Sequence, residues 1–140
     1  MLAPAAVLVL WSLVMLGWLG VARIQAFART SGKLHNLPPG SRGQELESRL
    51  PPGACWPSHN YAHLMEQPTL FYAVCLILAV LGPQRDDILV AWAYVLLRVI
   101  HSLWQARINT IPARLALFGA ATFCLVALAI RAAVLALRID

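Results

Sequence analysis

The sequence predicts an all-α integral membrane protein, a bundle of four transmembrane helices with little outside the bilayer. Three observations predict it. Of 140 residues, 60% are apolar and only 12% charged, with a mean hydropathy of +0.69, whereas soluble domains are about half apolar and about a quarter charged. One soluble core at this length cannot hide so much apolar surface, and a bilayer can take it. The apolar residues also fall into four stretches, each near the ~20 residues that cross a ~30 Å hydrocarbon core. Finally, the segments between them collect the Gly, Pro and basic residues that stop helices and set topology.

The first helix is expected over residues 2–24, since Leu2 to Ala22 contains no charged residue. A cleaved signal peptide ending near Ala26-Phe27-Ala28 is disfavoured, because no basic segment precedes the apolar run and the run is too long. A long connection follows over residues 30–57. Its Pro38-Pro39-Gly40, Pro51-Pro52-Gly53 and Pro57 argue for an irregular loop, with a short helix over Gln44 to Arg49. The second helix is expected over residues 59–81. Gly82-Pro83-Gln84-Arg85-Asp86-Asp87 then forms a tight turn, with Asp capping the next helix. The third helix runs over residues 87–106 and is antiparallel to the second. A short connection at Asn109-Thr110-Ile111-Pro112 leads to the fourth, over residues 112–137. Residues 1–140 thus make a single domain.

The net charge of +5 and pI near 9.7 do not point to nucleic acid, because the basic residues lie between apolar runs, where they meet lipid headgroups. Arg23, Arg29, Lys33, Arg42 and Arg49 border or occupy the first connection, and Arg107 and Arg114 flank the third. The positive-inside rule places these connections in the cytoplasm and both termini on the non-cytoplasmic side. Arg131 and Arg138, which dilute this bias, read as snorkelling residues where the fourth helix leaves the bilayer. Cys55, Cys75 and Cys124 are odd in number and widely spaced, which suggests small packed thiols rather than a disulfide framework.

Ionisable residues inside the spans are functional hypotheses by default. His59, His63 and Glu66 are spaced by four and three, and so are Arg98, His101 and Gln105 in reverse order, so each set shares a helical face. Glu66 lies about 10 Å in from His59, and Arg98 about 12 Å in from Ala106, at about 1.5 Å per residue. Matched depth predicts a Glu66–Arg98 ion pair at the base of a polar funnel, His63 and His101 above it, and His59 and Gln105 at the rim. The same groups could instead be interhelical glue, or, as His59, His63, Glu66 and His101, a metal-ligand set. The order His-x3-His-x2-Glu is not that of a zincin helix, and Arg98 would place a cation beside the metal. Trp11, Trp18, Trp92, Phe71, Tyr72 and Phe118 read as lipid-facing or packing residues; Tyr94, one turn from Arg98, could be either packing or polar.

Two segments resemble those of a known family, the membrane-associated proteins in eicosanoid and glutathione metabolism (MAPEG). Asn60-Tyr-Ala-His-Leu-Met-Glu66-Gln-Pro-Thr-Leu-Phe71 is similar to the family's Asn-x-x-Glu segment entering the second helix. Arg98-Val-Ile-His101-Ser-Leu, followed by Arg114, is similar to the Arg-x-x-His segment of microsomal glutathione transferases. The resemblance spans nearly the whole chain and marks a divergent, bacterial-type member. It implies a homotrimer in a bacterial inner membrane or its equivalent, binding glutathione as co-substrate between subunits at the cytoplasmic side. The implied activity is that of a transferase or peroxidase acting on lipophilic electrophiles dissolved in the bilayer.

By position, Glu66 would hold the glutathione amino group, and Arg98 with His101 would meet its carboxylates, in a binding set that includes His59, His63 and Gln105. Arg114 or Arg23 would activate the thiol, since a nearby cation favours the nucleophilic thiolate. The sequence departs from the family pattern where His59 and His63 replace an arginine and an asparagine, and where Gln105 replaces a tyrosine. A bidentate, permanently charged anchor has become a titratable ring. A non-catalytic protein binding lipid or small ligands, and a membrane metalloenzyme, stay open as alternatives.

Overall fold

A backbone in hydrocarbon must satisfy its own hydrogen bonds, so the apolar runs wind into helices. The computed structural model of the chain describes residues 1–29, 45, 47 and 50–138. Among them are four helices, α1 (Leu2–Arg29), α2 (Pro52–Leu81), α3 (Arg85–Arg107) and α4 (Ile111–Ala136). All four are long and apolar enough to cross a membrane, and the described residues contain no strand. The central pair is α2 and α3. Against it, α1 packs on α2 and α3, and α4 on α3 and α2. The end holding the C-terminus of α1 and the N-termini of α2 and α4 is called the loop end below, and the other the turn end.

Two helices begin or end differently from expectation. α1 continues past residue 24 to Arg29, and α2 starts at Pro52 rather than at residue 59. Pro51-Pro52-Gly53 therefore opens a helix instead of interrupting a loop. Pro52 sits in the first turn, where its missing N–H has no partner to lose and its fixed φ suits the helix. Pro57 and Pro68 are tolerated inside α2, each removing one rung of the carbonyl ladder. The short helix expected over Gln44 to Arg49 lies largely outside the described residues.

The turn end is closed by specific chemistry. Gly82 adopts φ 86° at the end of α2, a left-handed conformation that glycine takes without a Cβ clash. Gln84, not an aspartate, caps α3, and its backbone N–H donates to Asp87 Oδ2 at 2.9 Å. The other oxygen of Asp87 lies 3.6 Å from Arg131 Nε on α4. Arg131 thus has a protein partner and is more than a marker of where α4 leaves the bilayer. Asp87→Ala removes a capping contact and an ion pair together. A loss of about 1–2 kcal/mol in detergent unfolding is expected, and much of it should already be gone in Arg131→Ala, so that the double variant falls short of additivity.

Lipid tails are as apolar as leucine, so close packing and polar contacts hold these helices together. Phe71 of α2 stacks on Tyr94 of α3, with ring centroids 4.2 Å apart and planes 22° from parallel. Leu8 and Met15 of α1 and Ala121, Leu125, Leu128 and Ala132 of α4 pack into the same core from either side of the central pair. The alanines let α4 approach its neighbours closely. Tyr94 Oη donates to Gln67 Oε1 (3.4 Å), Gln67 Nε2 to Thr122 Oγ1 (2.8 Å), and Thr122 Oγ1 to the Phe118 carbonyl (2.8 Å). This chain of polar groups ties α3, α2 and α4 at one level. Cys55 and Cys75 are buried, Cys124 half-buried, and all three are free.

Candidate functional site

Just towards the loop end from that polar chain, three rings from three helices face one another. His63 of α2 and His101 of α3 lie 6.2 Å apart edge-on. Phe118 of α4 stands 6.5 Å from His63 and 6.3 Å from His101. They border a cavity of about 380 Å³ lined by His63, His101, Ile111, Arg114, Leu115 and Phe118. The α4 members recur at helical spacing, which puts a mixed apolar and cationic wall opposite two imidazoles. A cavity of this kind, mostly apolar with a few convergent polar groups, suits a small amphiphilic ligand.

Arg98 lies under the three rings. It is fully buried, its Nη2 donates to the His63 carbonyl at 2.6 Å, and its guanidinium carbon sits 5.9 Å from the centre of the Phe118 ring. Nε and Nη1 of Arg98 are buried without a partner among the described residues, as are the amide atoms of Asn60, Oγ of Ser102 and Oε1 of Gln105. Asn60 lies one turn from His63, and Ser102 one turn from Arg98, both towards the loop end. The α2–α3 seam is therefore polar from Arg98 outward.

The expected Glu66–Arg98 ion pair does not form. Glu66 points outward from α2 with its side chain 68% exposed, and its Oε2 lies 3.4 Å from His63 Nδ1. No carboxylate lies within ion-pair distance of Arg98 among the described residues. Counting along the helices fixed depth correctly but left the rotation about each axis open. Glu66 lies two residues beyond the core-facing Leu64, which at about 100° per residue turns it to the far side of α2.

The other expected site residues divide. His63, His101 and Arg114 line the cavity. His59 and Gln105 do not share a rim. His59 is 48% exposed and meets Glu47 Oε2 at 2.7 Å, while Gln105 is buried in the seam. Arg23 donates to Ser58 Oγ at 3.0 Å, joining α1 to α2, and is not among the lining residues. The candidate metal set is not gathered either. No three of the His, Cys, Asp and Glu side chains converge on one point among the described residues.

Phe118, read above as lipid-facing or packing, is the cavity's aromatic wall. A signal for it existed, because Phe118 is one turn from Arg114 and on the same face as Ile111 and Leu115. Asn60 and Ser102 were missed as members of the polar seam, although Asn60 is a polar residue at the core-facing spacing of Leu64, Pro68 and Phe71.

Comparison with known proteins gives one finding. The family model described as the MAPEG family matches residues 1–134. No curated protein and no solved structure matches the chain.

Proposed function

This chain belongs to the MAPEG family, and on that premise we propose that it is a glutathione-dependent transferase or peroxidase acting on lipophilic electrophiles from the bilayer. The observation that carries the reading is the cavity in which His63, His101 and Arg114 meet an apolar wall of Ile111, Leu115 and Phe118, with Arg98 beneath. Cations and imidazoles suit the carboxylates of a tripeptide, and the apolar wall suits its lipid-soluble partner. Arg114 is the better candidate for favouring the thiolate, because it lines the cavity and Arg23 does not. His101 and His63 bind the carboxylates directly, and Arg98 contributes its charge through the floor.

Glu66 would receive the glutathione amino group from a neighbouring subunit's side of the site. A carboxylate halfway along a membrane-spanning helix cannot remain facing lipid at low cost, and its exposed position on α2 supports coverage by a second copy in a homotrimer. The basic residues at the loop end, Arg23, Arg29, Arg107 and Arg114 among them, favour a cytoplasmic site in a bacterial-type inner membrane or its equivalent.

A second reading has an observation of its own. The Arg98 bond to a main-chain carbonyl is what an interhelical clamp would make, and with it the polar layer of a non-catalytic lipid or small-ligand binder would be purely structural. One titration separates them. Glutathione added to the purified protein should raise its thermal stability, by about 2.7 kcal/mol at a hundredfold excess over Kd, and produce a thiolate absorbance. With a lipophilic electrophile or lipid hydroperoxide present, that absorbance should be consumed. Neither stabilisation nor thiolate at millimolar glutathione sinks the enzymatic reading and leaves the structural one.

A further inference from the structure

The connection between α3 and α4 is built around a residue in an uncommon conformation. Asn109 has φ +60° and is the only non-glycine residue with positive φ among the described residues. Its amide and that of Ile108 both donate to the Trp104 carbonyl, at 2.8 and 2.9 Å. Across the turn, Trp104 Nε1 donates to Thr110 Oγ1 at 2.8 Å. The backbone of residue 109 is therefore pinned, and with it the direction in which its side chain leaves. Glycine is the usual occupant of a left-handed position at a helix end, and asparagine is one of the few substitutes. What asparagine adds is an amide group, and here that amide has a specific use.

Asn109 Oδ1 accepts from Arg114 Nη1 at 2.8 Å. Arg114 is in the first turn of α4 on the face that lines the cavity. Its Nε is buried without a partner, and Nη2 has no hydrogen bond among the described residues. An arginine this near a membrane surface ordinarily extends its long side chain outward to headgroups and water. Among the described residues, the one side-chain acceptor that opposes such a swing is the Asn109 amide, itself held by a backbone clamped at Trp104.

We infer that Asn109 is a positioning residue. It holds the Arg114 guanidinium at the cavity wall, where the charge can favour ionisation of a bound thiol. This rests on the glutathione reading given above, in which Arg114 is the cation that favours the thiolate. Without the amide, Arg114 is free to withdraw towards the headgroups. A withdrawal from about 4 to about 6 Å, at an effective dielectric of about 20, weakens its hold on a thiolate about tenfold.

The experiment compares the unaltered full chain with Asn109→Gly, Arg114→Gln and the double variant, titrating the thiolate absorbance of bound glutathione against pH. Glycine keeps the left-handed backbone at no steric cost, so Asn109→Gly should retain its thermal midpoint. Its thiolate titration should move up by about one pH unit, the tenfold loss expressed as a pKa. Arg114→Gln should move it at least as far, and the double variant no further than Arg114→Gln alone. A titration of Asn109→Gly that superimposes on the unaltered protein overturns the inference and leaves the glutathione reading standing. Additive shifts in the double variant overturn it too, because Asn109 would then act independently of Arg114. An unaltered protein that binds no glutathione, or binds it without a thiolate, removes the proposed chemistry and this inference with it.

Discussion

Arg98→Met is expected to insert, fold and keep its thermal midpoint within a few degrees, yet to bind glutathione about fifty-fold more weakly. Both halves follow from where the guanidinium sits. Removing one member of a buried ion pair usually destabilises strongly, because the other charge is left alone. Among the described residues, Arg98 has no carboxylate partner and makes one hydrogen bond, to the His63 carbonyl. Losing that charge-assisted bond costs about 1.5–3 kcal/mol, while losing an unpaired buried cation relieves desolvation of comparable or larger size. Methionine fills most of the volume, so little cavity remains. The charge still matters to an anion in the cavity above. At about 7 Å and an effective dielectric of about 20, a unit charge contributes about 2.4 kcal/mol to holding a carboxylate, which is about fifty-fold in Kd. Calorimetric titration and thermal unfolding on the same samples test it. A variant that binds glutathione normally would confine Arg98 to a structural role. A variant that fails to assemble would show that its bond to the α2 carbonyl is a clamp the bundle cannot lose.

Much of this architecture was legible in the sequence because a bilayer imposes few choices. Four apolar runs of spanning length must be helices, and Gly82-Pro83 must separate two of them. Depth was legible too. Counting from the ends of α2 and α3 brought His63, Arg98 and His101 to neighbouring levels, and the structure places the two imidazoles 6.2 Å apart. Rotation was harder to read, because most faces of these helices are apolar enough to look alike. Glu66 was matched to Arg98 by depth and lies on the outer side of α2. The sign of this was present in the stripe Asn60, Leu64, Pro68, Phe71, whose spacing marks the core-facing side and excludes Glu66. The cavity wall on α4 was hidden for a related reason. Phe118 is one aromatic within a long apolar run, and only its spacing from Arg114 sets it apart. The role of Asn109 needed the backbone conformation, which no residue count supplies.

Phe71→Ala is expected to destabilise the bundle by about 3 kcal/mol, while Phe123→Ala, on the same scale, is expected to change stability by less than about 0.5 kcal/mol. In water, both would be judged by the apolar area they bury. In a bilayer that term nearly vanishes, since a phenyl ring moved from protein to lipid stays in an apolar medium. What remains is packing. Phe71 is fully buried and stacked on Tyr94. Its truncation leaves a void of about 100 Å³, worth about 2.4 kcal/mol at about 24 cal/mol per Å³, together with an aromatic contact worth about 0.5–1.5 kcal/mol. Phe123 is 76% exposed on α4, and lipid fills the space it vacates. The difference also has a functional reading. The Phe71–Tyr94 stack fixes the register of α2 on α3, and Tyr94 carries the polar chain through Gln67 and Thr122 to the Phe118 carbonyl. Loosening the stack should therefore also shift the wall of the cavity. Phe71→Ala should weaken glutathione binding without touching any residue that lines the site, and Phe123→Ala should leave it unchanged. Equal losses of stability in the two variants would mean that area, not packing, governs this bundle. Normal binding in a destabilised Phe71→Ala would mean that the cavity is held by the loop end alone.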